Sequence, residues 1–128
     1  MTTGTDAGAE TWAEVGPFYD AAAVAAVLGV SVSAVRSRRA RGSVLALRTG
    51  SGSWVYPVWQ FQAGAVLPGL VPVLQVLSSS GISAWSRAAW LRSADVELGG
   101  RTPLTVLRAG GEDDVVLLVA SHSAAGWE

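Results

Sequence analysis

The chain has 128 residues, half of them hydrophobic, and it contains no cysteine, which excludes disulfides and thiolate metal sites. Its length suits one compact domain or two very small ones, and no apolar run approaches the roughly 20 residues that span a bilayer. The formal charge of -1 hides a strong arrangement: residues 1–20 carry four acids and no base, residues 21–94 seven arginines and no acid, and residues 95–128 six acids and two arginines.

Residues 1–16 are small, polar and aperiodic, and are expected to be disordered, with Trp12 as the exception that can dock. They contain neither a basic n-region nor an apolar h-region, so a secretory signal is not expected and a cytoplasmic protein is. Asp20 suits the N-cap of a helix over residues 21–28 that Gly29 stops, and Ser31 or Ser33 caps a second helix running to about Arg41 and ended by Gly42. Val24, Leu28, Val32 and Val35 supply the apolar contacts. Residues 44–48 alternate in period two, residues 49–53 have turn chemistry, and residues 54–56 are aromatic and β-branched before Pro57, which together predict a hairpin.

Residues 59–69 read as a connector or a short helix. A helix follows over residues 70–77, with Pro72 tolerated in its first turn, and the serines before Gly81 end it. Ser83 caps another helix, which packs through Trp85, Ala88, Ala89 and Leu91. Gly99-Gly100 predicts a sharp turn; Thr102 then caps a short helix, Pro103 takes its first position, and Gly110-Gly111 ends it. Glu112, Asp113 and Asp114 suit the positive end of a last helix reaching about Ser121. By periodicity alone, the apolar run 115–119 fits a buried strand equally well. The fold class expected is mainly α with a small β-hairpin.

Arginines 36, 38, 39, 41 and 48 lie close together in a stretch without acids. Such a run points to a polyanionic partner; the plainer alternative is a solvated helix face, though such faces usually mix both signs. All nine basic residues are arginine, which with abundant Ala, Gly and Val suggests a GC-rich bacterial gene rather than a demand for guanidinium chemistry. A catalytic site is not expected: there is one histidine, no Cys or Lys nucleophile, and no Ser in a nucleophile elbow. No cofactor and no metal site are expected.

Residues 24–36 resemble a helix-turn-helix core, with Ala25 small enough for close helix approach and Gly29 at the turn. Together with the hairpin and the Trp54–Pro57 strand, residues 18–61 resemble the winged helix of MerR-like or excisionase-like proteins. Arg38 stands where an apolar residue is more usual. On this resemblance Ser33, Arg36, Ser37 and Arg39 face bases or phosphates, while Arg41 and Arg48 hold phosphates.

Residues 66–121, above all Ala89-Trp90-Leu91 and the string from Leu98 to Leu104, resemble the toxin-binding domain of Xre/MbcA/ParS-type antitoxins. That resemblance implies a bacterial antitoxin that neutralises a RES-type, NAD-consuming toxin and represses its own operon through operator DNA. It also implies a homo-oligomer within a hetero-oligomeric complex, with no membrane partner. The toxin-facing residues it implies are Trp90, Arg101, Thr102, Leu118, His122 and Trp127. Many relatives carry an arginine just after the last helix, which this chain lacks. The expected organisation is a disordered segment 1–16, a DNA-binding winged helix-turn-helix over 17–62, and a helical toxin-binding domain with a C-terminal tail over 63–128. The competing expectation is a stand-alone transcription regulator or recombination accessory factor whose second half only dimerises.

Overall fold

The computed structural model describes residues 15–126. Strand β1 (Phe18–Tyr19) leads into helices α1 (Ala21–Leu28) and α2 (Val32–Ala40), then strands β2 (Leu47–Arg48) and β3 (Trp54–Pro57). A 3-10 turn (Val58–Gln60) and a second hairpin, β4 (Phe61–Gln62) and β5 (Ala65–Val66), connect to helices α3 (Leu70–Ser79) and α4 (Ala84–Leu91). A further 3-10 turn (Val96–Leu98), α5 (Pro103–Ala109) and α6 (Asp113–Ala125) complete the fold. It is mainly α with small antiparallel sheets, as the sequence predicts. No single helix among the described residues is long and apolar enough to cross a membrane.

Capping residues set the helix starts. Asp20 accepts from the Ala23 amide at 2.8 Å and Ser31 from the Ala34 amide at 3.0 Å, which selects Ser31 over Ser33 as the α2 cap. Thr102 accepts from the Thr105 amide at 3.1 Å, with Pro103 at the first helical position. Gly99 and Gly100 both have positive φ, 68° and 82°, as their turn requires.

The three-stranded sheet, ordered β1-β3-β2, is a partition buried on both faces. Alternation sorts its residues between two cores. Val44, Ala46, Trp54, Tyr56 and Tyr19 pack with Val24 and Val35 of the helix pair. Leu45, Leu47, Val55 and Phe18 pack with the helices that follow. The segment 44–47 is therefore buried on both sides, and only Leu47 and exposed Arg48 pair in the ladder, opposite Val55 and Trp54.

Gln60, fully buried, supplies the missing ladder. Its Oε1 accepts from the Leu45 amide at 2.7 Å, and its Nε2 donates to the Leu45 carbonyl at 2.7 Å and the Pro57 carbonyl at 3.2 Å. Beside it, Trp59 Nε1 donates to the Val15 carbonyl at 2.6 Å, and Arg108 donates to the Trp59 carbonyl at 3.1 Å. Residues 57–60 thus tie the front of the chain to its last helices.

Several sequence expectations are corrected. Val15, expected in a disordered segment, is buried in the large core; residues 1–14, including Trp12, lie outside the described residues. The connector 59–69 contains a hairpin, closed at Ala63-Gly64 with φ of 54° and 77°, a type I′ geometry. Local sequence did not announce it, because Ala is a poor residue for positive φ. The expected tail begins later than Ser121: α6 runs to Ala125, and Ala120 and Ala124 are buried against the core. Helix wins over strand for 115–119 because its buried positions, Val116, Val119 and Ala120, fall at helical spacing. Gly69 allows a close approach before α3: a Cβ there would lie 2.7 Å from the Asp113 carboxyl carbon.

Candidate nucleic-acid interface

Helices α1 and α2 are bent by 101° at the Gly29–Ser31 turn, within the range of helix-turn-helix pairs. Gly29 takes the left-handed conformation at φ 67°, and the Val30 amide closes back on the Ala25 carbonyl at 3.0 Å. Val35 is fully buried against Val24, so one side of α2 is fixed inward. The opposite side carries Ser33, Arg36, Ser37 and Ala40, all exposed, at i, i+3, i+4 and i+7. Four of the six residues expected to face nucleic acid lie on α2, and Arg41 follows it directly.

Arg39 and Arg48 converge from different elements on one ring. The Arg39 guanidinium carbon lies 4.5 Å from the Trp54 ring centroid, and that of Arg48 lies 5.2 Å from it. Arg48 sits directly across the ladder from Trp54, while Arg39 also donates to the Tyr56 hydroxyl at 3.3 Å. Cation–π contact holds both charges without neutralising them. Arg41 donates to the Ser37 hydroxyl at 2.9 Å, which splays it along α2. The turn after β2 is ordered by its own bonds: Ser53 donates to Thr49 Oγ1 at 3.0 Å, and Thr49 to the Ser53 carbonyl at 2.8 Å. Trp54 and Tyr56 were not among the expected site residues. Their signal was available: an aromatic at the strand position after a Gly/Ser turn, in a stretch with no acid to pair the arginines.

The residues expected to face a protein partner fall into two groups. Arg101 forms a two-pronged ion pair with Glu112 at 2.9 and 3.2 Å and donates to the Leu98 carbonyl at 2.8 Å, and Thr102 caps α5. The pair raises the Arg101 pKa, and the guanidinium holds the Glu112 carboxyl below its ordinary range, by hydrogen bond first and charge second. These two residues shape the 95–102 turn. The second group lies toward the end of α6. His122 Nδ1 is 2.8 Å from Glu97 Oε1, Leu118 is 57% exposed, and half-buried Trp90 donates to the Ser123 hydroxyl at 3.1 Å. Val96, 91% exposed, precedes Glu97 in the same turn. Trp127 lies outside the described residues.

No protein-family profile matches the chain. It is 31% identical over 99 residues to DNA-binding protein Rv2175c of Mycobacterium tuberculosis, over 77% of this chain. The match spans 64% of that protein's length, a little under two thirds. The NMR structure of Rv2175c is similar at a TM-score of 0.69 and 30% identity, covering 84% of this chain and 81% of that one. The relation shown is thus to Rv2175c rather than to an Xre/MbcA/ParS-type antitoxin. At this identity and coverage of the solved structure, the chain belongs to the family of Rv2175c.

Proposed function

We propose that this chain is a DNA-binding regulator that lays α2 in the major groove. One observation carries the reading: the only side of α2 not used for packing presents Ser33, Arg36 and Ser37, within a stretch of 74 residues that holds seven arginines and no carboxylate. Ser33, Arg36 and Ser37 then face base edges or the nearest phosphates. Arg39, Arg41 and Arg48 hold phosphates on either side, two of them positioned by Trp54. Phosphate contacts set register, and base contacts set sequence. The name of Rv2175c supports the same class of partner. The target is an operator, and a homo-oligomer reads its half-sites. Titrating a duplex library over several salt concentrations tests this: log affinity falls linearly with log salt, by roughly 0.9 per phosphate engaged. Binding that ignores salt would sink the reading.

A second reading concerns residues 63–128, as a surface for a protein partner beside the DNA-binding region 17–62. It is favoured by Leu118 and Val96, two large apolar side chains left in solvent beside Trp90 and the Glu97–His122 pair. With the likeness of residues 66–121 to antitoxins, that partner is a RES-type toxin, and the chain neutralises it while repressing its own operon. Co-expression of the neighbouring gene product with wild-type chain and with Leu118→Glu tests it, reading complex formation and NAD consumption. Equal capture by both chains would remove this surface from the interface.

A further inference from the structure

We propose that a phosphate group binds in the cleft between the end of α2 and the start of α4, held by Arg39, Arg41 and Arg87. The cleft measures about 290 Å³, and Trp54, Ser78 and Ala84 also line it. It is small for an organic ligand and suited to a compact anion with its nearest substituent.

Arg87 is the odd member. Five of the seven arginines between residues 21 and 94 lie in or just after α2 or on β2, but Arg87 reaches in from α4, on the opposite wall of the cleft. Its Nε is shut off from water and has no hydrogen-bond partner. Burial lowers its pKa, with no carboxylate to oppose the effect. A buried guanidinium N–H without an acceptor is a rare and costly arrangement. No carboxylate lines the cleft, and residues 21–94 contain no acid.

A cleft walled by three arginines and no carboxylate fits an anion from outside the chain, and the Arg87 Nε–H, buried just behind that wall, reports on its arrival. Three guanidinium groups call for several acceptor oxygens set tetrahedrally, which a phosphate monoester, phosphodiester or free phosphate provides and a planar carboxylate does not. Ala84, the first residue of α4, adds the positive end of that helix to the same wall. Arg39 is already steadied by Tyr56 and Trp54, so one of the three donors is pre-positioned.

Two sources carry this chemistry: a backbone phosphate of bound DNA, or a free phosphorylated small molecule. The first rests on the DNA-binding reading, and the second does not. The test follows the Arg87 Nε–H resonance in the full-length, isotope-labelled protein. Inorganic phosphate is titrated at constant ionic strength, and a DNA duplex is titrated separately. A saturable shift of that resonance with either probe is expected, together with a roughly tenfold weaker binding of the same probe by Arg87→Gln. A shift with duplex alone assigns the DNA backbone as the source. A shift with phosphate alone assigns a free ligand, and it supports the site even if the duplex does not bind at all. Arg87→Lys, which keeps the charge without an Nε, serves as a second variant if Arg87→Gln loses its native backbone spectrum. A resonance that neither probe moves overturns the proposal, as does unchanged affinity in a folded variant.

Discussion

Around Val24, Val35 and Tyr56 the described residues bury six hydrophobic side chains, whereas the cluster running through α3 and α6 buries twenty. The surfaces differ as sharply. After the Asp20 cap, residues 21–62 carry five arginines and no acid, while the helical region pairs Arg101 with Glu112 and His122 with Glu97. A face of one charge sign suits a polyanion but repels itself, and a core of six side chains gives little to set against that repulsion. The sheet resolves the difference. By burying both of its faces, it lends the small region the support of the large core. The arginine-rich region can carry one sign of charge because it is not asked to be stable alone.

The most damaging test of that view is Gln60→Leu. It removes the side chain that satisfies both Leu45 backbone groups in a buried site, and should cost roughly 2–5 kcal/mol. Urea unfolding followed by backbone resonances of both regions should show them losing stability together, at one midpoint. Separate midpoints would mean that the two regions are mechanically independent.

Charge provides the next test. Replacing Arg36 and Arg39 with Ala together should lower the salt dependence of duplex binding by about two units of log–log slope, measured at a temperature where the variant stays folded despite losing the Arg39–Tyr56 bond. An unaltered slope would show that neither side chain meets phosphate. Thr102→Ala should do the reverse. Losing the α5 cap should cost about 0.5–2 kcal/mol of stability while duplex affinity at low temperature is kept.

Ala63→Gly sharpens the comparison at the joint itself. Ala63 is exposed and held at φ 54°, so glycine relieves strain at the hairpin turn and should stabilise the fold by about 0.5–1 kcal/mol, read as a higher urea midpoint. A lower midpoint would mean that chain entropy outweighs the strain.

The smallest effect is expected at the Arg101–Glu112 pair, whose side chains are 45% and 40% exposed. Because the folded Glu112 carboxyl is held below its ordinary range, its contribution is present above the unfolded pKa and is lost as pH falls through the folded one. Arg101→Met should therefore lower the urea midpoint slightly at neutral pH and not at all in strong acid. The neutral-pH loss should fade in high salt. A loss that persists in acid would assign Arg101 to its bond with the Leu98 carbonyl instead.

Local chemistry makes much of this legible in the sequence. Asp20, Gly29, Ser83, Thr102 and Pro103 carry their roles in their own side chains or lack of one, so α1, α4 and α5 begin where the sequence predicts. The outward stripe of α2 follows from helical spacing once Val35 is inside, and the acid-free run of arginines is visible in composition alone. The rest depended on partners distant in sequence. Nothing near Gln60 shows that it completes a strand fifteen residues away, and nothing near Trp59 shows that its indole bonds Val15. The segment 44–48 alternates like a half-buried strand, yet both faces are covered over 44–47, because a second core lies behind it. Arg87 looks like one more surface arginine until α4 packs its guanidinium into a cleft beside α2. Sequence determined where the helices begin and which charge the exposed face of α2 bears, since those rest on bonds within a few residues and on composition. Tertiary structure decided which polar groups were left wanting a partner, since burial depends on what the whole chain brings against them.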